Sequence, residues 1–96
     1  MSVRVEWDSR KANSNLEKHN VSFDEASTIF DDPLTALFDD EDHSTGEIRE
    51  IAIGQSIQNR LLVVSLTERE PDIIRIISAR LATRQERKDY EENTKR

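Results

Sequence analysis

Two arginines stand out because of where they sit. Arg75 and Arg80 lie in the β-branched stretch Ile73-Ile74-Arg75-Ile76-Ile77-Ser78-Ala79-Arg80, which runs straight into a segment carrying Arg84, Arg87 and Lys88. A guanidinium presents its donors as a fixed fork that matches the oxygens of a phosphate. Held in place, it stabilises charge growing on those oxygens, so that a neighbouring hydroxyl such as the 2′-OH of RNA can attack without a metal. Positions 75 and 80 differ by an odd number, so an unbroken strand points them to opposite faces. That predicts two candidate sites, one on a sheet face and one at the strand–helix corner. For each arginine the alternative is an ion pair with the acidic middle of the chain. Arg84, Arg87 and Lys88 read either as phosphate contacts or as a solvated helix face.

Other residues supply further candidates. Arg49 lies beside Glu47 and Glu50 and can join a phosphate site or pair with either acid. Lys11 and Asn15 are four apart on a predicted helix, hence on one face, and can contact RNA or form a solvated flank. His19 suits proton transfer near neutral pH, but it also falls at a helix C-terminus, where a histidine favours the free carbonyls. Tyr90 can hydrogen-bond a phosphate or stack on a base, or pack its ring with the hydroxyl at the surface. His43, in Asp39-Asp40-Glu41-Asp42-His43, matches no metal motif and reads as part of a solvated acidic loop. There is no Gly-rich phosphate loop, no serine or cysteine nucleophile constellation and no zinc pattern, so neither metal nor cofactor is expected.

Composition bounds these readings. Ninety-six residues make one domain, 1–96, with a compact core. The net charge of −6 argues against indiscriminate nucleic-acid binding, but the charge is segregated. Residues 24–50 carry ten acidic groups and one basic, whereas residues 73–96 carry seven basic and four acidic. Screening over ~8–10 Å lets a local basic surface act apart from the acidic one. The absence of cysteine excludes disulfides and thiolate chemistry. The longest apolar run, Leu61 to Val64, is far too short to cross a bilayer, and a cytoplasmic protein without membrane contact is expected.

The elements that must position these residues follow from periodicity and caps. Val3 to Trp7 alternates as a strand. Asp8 caps a helix that runs to about Lys18, with Ala12 and Leu16 on its apolar face and Asn20 as a left-handed terminator. Ser22 with Glu25 forms a capping box for a second helix that buries Phe23, Ala26, Ile29 and Phe30 and stops before Pro33. Strands are expected at Leu34 to Asp39, Glu47 to Gly54, Arg60 to Thr67 and from Ile73. Thr83 with Glu86 caps a last helix whose tail, 92–96, frays. The order β-α-α-β-β-β-β-α, with short turns, implies an α+β fold on an antiparallel sheet. Helices covering one face leave the other open to a ligand.

The ordered set of residues resembles the BrnT-type toxins, small type II toxin–antitoxin ribonucleases with a RelE-like fold. The resemblance spans roughly residues 3 to 92. It rests on Glu6-Trp7-Asp8 with Lys11 and Asn15, then Lys18-His19-Asn20-Val21-Ser22-Phe23-Asp24-Glu25-Ala26. Phe30-Asp31-Asp32-Pro33, Asp42-His43, Glu47-Ile48-Arg49, Ile53-Gly54, Leu62-Val63-Val64 and Thr67-Glu68-Arg69 continue it. It closes with Arg75 to Arg80, Ala82-Thr83, Glu86-Arg87 and Tyr90-Glu91. Asn20 and Asn59 stand where the family usually has glycine. Leu66, which cannot transfer a proton, stands where histidine or tyrosine is common. The resemblance implies cleavage of RNA in the cytoplasm, and the arginines make a metal-independent endoribonuclease the expected form. It also implies neutralisation by a BrnA-like ribbon-helix-helix antitoxin, with DNA contacted only through that antitoxin. Read from their types and positions, the catalytic candidates are Arg80, Arg75, Arg49, His19 and Tyr90; Lys11, Asn15, Arg84, Arg87 and Lys88 are RNA-binding candidates. The alternative is a non-catalytic protein-binding module acting as partner in an antitoxin repressor complex.

Overall fold

A computed structural model describes residues 3–41 and 47–94. Strand β1 (Arg4–Trp7) leads into helix α1 (Ser9–His19) and the short helix α2 (Phe23–Ser27), which continues as a 3₁₀ turn over Thr28–Asp31. Strands β2 (Ala36–Asp39), β3 (Arg49–Gln55), β4 (Leu61–Glu70) and β5 (Ile73–Leu81) follow, and helix α3 (Arg84–Thr94) closes the chain. The α+β class and the element order are as the sequence implies. His43 lies outside the described residues, as do residues 95 and 96 of the tail expected to fray, whereas Glu92, Asn93 and Thr94 are helical.

The caps act as their residue types require. The Asp8 carboxylate accepts from the amides of Arg10 and Lys11 at 2.8 and 3.2 Å. These bonds hold its pKa below the ordinary carboxyl value. Asn20 ends α1 in the left-handed region at φ 56°. Thr83 and Glu86 form a complete capping box, the Glu86 amide donating to Thr83 Oγ1 and the Thr83 amide to Glu86 Oε1. Ser22 and Glu25 form only half of one. Ser22 Oγ accepts from the Glu25 amide, but the buried Glu25 carboxylate accepts instead from Ser56 Oγ at 2.7 Å and from the Arg60 guanidinium. That diverted carboxylate bolts α2 to the β3–β4 connection.

The sheet order is β1-β5-β4-β3-β2. It is mixed rather than wholly antiparallel, because β1 pairs with β5 in parallel while every other pairing is antiparallel. The chain leaves β1 through α1 and returns to β1's neighbour only at β5, and that long crossover permits a parallel pair. One face of the sheet carries the core: Ala52, Leu62, Val64, Leu66, Ile76 and Ala79 pack under Val21 of the α1–α2 connection, Phe23 and Ala26 of α2 and Ile29 of the 3₁₀ turn. Trp7 meets Phe23 edge-on at 6.0 Å and anchors β1 there. Gly54 lies where Thr35 crosses; a Cβ would overlap the Thr35 hydroxyl, which donates to the Ile29 carbonyl. Helix α3 lies over the opposite face, where it and Ala36, Phe38 and Ile53 line a cavity of about 620 Å³. The second face is therefore only partly open.

Candidate functional site

The register of β5 decides which arginines share a face. Ser65 pairs with Ser78, but Leu66 pairs with Ile76, so one step along β4 spans two residues of β5 and Ile77 is the extra residue of a bulge. The bulge reverses the parity count. Ile76 and Ala79, three apart, both point into the core, and so Arg75, Ser78 and Arg80 all point to the other face. The expectation of opposite faces is corrected, because it assumed an unbroken strand.

The pairings then build a row across the sheet. Glu6 lies opposite Arg75, Arg75 opposite Thr67, and Thr67 opposite Arg49. Directly paired residues project to the same side of a sheet. Arg49 and Arg75 are two strands apart, about 10 Å between backbones, with Thr67 between them. Thr67 is 3% exposed and its hydroxyl donates to the Ile48 carbonyl at 2.8 Å. Arg75 Nη1 meets Glu6 Oε2 at 3.1 Å, and both side chains remain about a third exposed, 32% and 38%. Arg49 lies 3.5 Å from Glu47. The next row holds the half-buried hydroxyls of Ser78 and Ser65. The result is an open polar face on which two guanidiniums flank hydroxyl groups, a geometry suited to a phosphodiester.

Around the rim of β5 lies a second positive feature. β1 pairs only with Ile73 to Ile76, so the outer edge of β5 beyond the bulge faces α1. Lys11, Ser14, Lys18 and His19 of α1 line a crevice there with Ile77 and Ser78. Lys18 was not singled out from the sequence, although it lies seven residues, two helical turns, beyond Lys11 on the same flank. Asn15 forms the floor of this crevice rather than a contact surface. It is 6% exposed, its amide nitrogen donates to the carbonyls of Val21 and Ala79 at 3.0 and 2.8 Å, and its oxygen accepts from the Ala79 amide at 3.0 Å. An amide held on three backbone partners has no donor left for RNA.

The corner arginine is engaged elsewhere. Arg80 makes a two-pronged bond to Glu86, Nη1 to Oε1 at 2.7 Å and Nη2 to Oε2 at 2.9 Å, and reaches the Leu81 carbonyl at 3.2 Å. This pair, with help from the Thr83 amide, holds the Glu86 carboxyl down to about 2. Tyr90 points its hydroxyl at Asp32 Oδ2, 3.4 Å away, and burial together with the Asp32 charge raises its pKa. It lies with Ala36, Phe38 and Ile53 over the β2–β3 side, across the sheet from Arg75. Arg84, Arg87 and Lys88 are exposed on the outer side of α3. Leu66 is 2% exposed and faces the helices, so a histidine or tyrosine at that position would point away from the arginine row. Among the described residues no three His, Asp or Glu side chains converge as a metal site requires, and no helix is long and apolar enough to cross a membrane.

The candidate site thus comprises Arg75, Arg49, Thr67 and Glu6 on the sheet and Lys11, Lys18 and His19 at the crevice. Neither Glu6 nor Thr67 was singled out as functional from the sequence, since the row exists only once the strand pairings are known. No curated protein matches the chain significantly. The crystal structure of the Brucella abortus ribonuclease toxin BrnT is similar in fold, with a TM-score of 0.66 at 20% identity over 86% of this chain and 100% of that one. The family model described as the ribonuclease toxin BrnT of type II toxin–antitoxin systems matches residues 7–86, from the end of β1 into α3. By that match, which covers most of its length, the chain belongs to the BrnT ribonuclease toxin family.

Proposed function

We propose that this protein is a metal-independent endoribonuclease that binds the RNA backbone across the α1–β5 crevice and the open sheet face. The observation that carries this reading is the row Glu6–Arg75–Thr67–Arg49. In it Arg75 and Arg49 hold the scissile phosphate and offset charge on its oxygens as the 2′-oxygen attacks. Lys11 and Lys18 engage neighbouring phosphates as point charges, and His19 stands beside them as a proton-transfer group. Arg80 acts indirectly, by fixing α3 through Glu86, and Tyr90 fixes the far end of that helix. Arg84, Arg87 and Lys88 extend the positive field at the surface without entering the site. Leu66 subtracts nothing from this arrangement, because position 66 belongs to the core.

As the toxin of a type II pair, the protein has an antitoxin partner. A BrnA-like ribbon-helix-helix protein fits that role, neutralising the toxin in the cytoplasm and making any DNA contact itself. The test is incubation of the purified protein with structured and single-stranded RNA in EDTA, with and without the co-purified antitoxin. Cleavage in EDTA that the antitoxin suppresses is the expected result. Intact RNA under every condition overturns the reading in favour of a non-catalytic binding module, and cleavage only with added Mg²⁺ overturns metal independence.

A further inference from the structure

Glu6 is placed with unusual definition for a surface carboxylate. Its neighbours Val5 and Trp7 point into the core, so strand alternation turns Glu6 to the open face. Its backbone is fixed in register opposite Arg75, and the next residue, Asp8, is held as the α1 cap. In the row Glu6–Arg75–Thr67–Arg49, two members are permanent cations and one is an alcohol, so the carboxylate is the proton acceptor among them. The nearby acids are otherwise engaged: Asp8 accepts from two backbone amides, and Glu86 accepts from Arg80 and Thr83. Glu47, beside Arg49, precedes β3 and is not held by sheet pairing.

We propose that Glu6 is the general base of RNA cleavage, taking the 2′-hydroxyl proton while Arg75 holds the phosphate beside it. The proposal rests on the ribonuclease reading above. In the step, the Glu6 carboxylate accepts the 2′-proton and the 2′-oxygen forms a bond to the adjacent phosphorus. The bond from phosphorus to the 5′-oxygen of the next nucleotide breaks, and that oxygen takes a proton from water. The products are a 2′,3′-cyclic phosphate and a 5′-hydroxyl, and Glu6 returns its proton to solvent. The Arg75 contact at 3.1 Å aims Glu6 at the same phosphate that the guanidinium binds.

The experiment is single-turnover cleavage of an end-labelled oligoribonucleotide in EDTA from pH 5 to 9. Wild type is compared with Glu6→Gln, Glu6→Asp and Glu47→Gln. Binding is measured separately with the 2′-O-methyl oligonucleotide, and melting temperatures are recorded for each variant. The expected result is a rate loss of about 100-fold or more in Glu6→Gln, the usual contribution of a positioned base. Its affinity for the 2′-O-methyl oligonucleotide and its melting temperature stay near wild type. Glu6→Asp recovers part of the rate. Cleavage by Glu6→Gln within about threefold of wild type, a loss seen only in affinity, or a larger rate loss in Glu47→Gln overturns the assignment while leaving the ribonuclease reading intact. A wild-type protein that cuts no RNA overturns both.

Discussion

Asn15 and Arg80 show how far a residue's type is from its role. Both are polar, both lie near the basic surface, and both are turned inward onto protein groups. Removing the Asn15 side chain leaves two buried carbonyls and one buried amide without that partner. Each such group costs about 1–3 kcal/mol when orphaned, and local relaxation recovers part of it. Asn15→Ala is therefore expected to lose about 3 kcal/mol, seen as a fall of roughly 15 °C in melting temperature for a domain of this size. A melting temperature within a few degrees of wild type contradicts the structural role. Nothing in the sequence separated Asn15 from Lys11, since both lie on one helix flank. The distinction comes from β5, whose Ala79 backbone stands opposite Asn15 and lies 64 residues away in the chain.

At the scale of elements, the caps were legible and the register was not. Asp8, Asn20, Ser22 and Thr83 delimit their helices because each completes its bonds within a few residues. The Ile77 bulge lies inside an unbroken β-branched run, and only the partner strand reveals it. The same non-locality hid the parallel pairing of β1, on which the placement of Glu6 depends. Helix α3 has no buried residue, and it is held by the Arg80–Glu86 fork and the Tyr90–Asp32 contact. With Glu86 at about 2 in the folded protein against an ordinary 4.5, the unfolded state binds this proton more readily. The pair therefore contributes its full stability above about pH 5 and loses it as pH falls towards 2. Allowing for solvent around the partly exposed Arg80, the contribution is about 1–2 kcal/mol. Amide exchange of α3 is expected to speed up relative to β4 through that window. In Glu86→Gln, α3 is expected to exchange fast relative to β4 throughout the pH range. Exchange of α3 that follows β4 at every pH contradicts the latch.

For the whole molecule, sheet order separates the charges. The α1 flank and Arg75 lie at the β1–β5 side, whereas Asp31, Asp32, Asp39 and Glu50 cluster towards β2 and β3. Burial, with Glu68 and Asp39 near, raises the Glu50 pKa, a sign of how concentrated negative charge is there. Five strands place the two edges roughly 19 Å apart, about two Debye lengths at physiological salt. A chain of net charge −6 thereby keeps one edge suited to a polyanion. In the proposed mechanism Arg75, not Arg80, grips the phosphate. This assignment is tested most directly by RNA cleavage rates in EDTA for Arg75→Ala and Arg80→Ala, each measured well below its melting temperature. The expected result is at least a 100-fold loss in Arg75→Ala with an unchanged melting temperature, and a lowered melting temperature with a much smaller rate loss in Arg80→Ala. The reverse pattern, an active Arg75→Ala beside an inactive but fully folded Arg80→Ala, contradicts it.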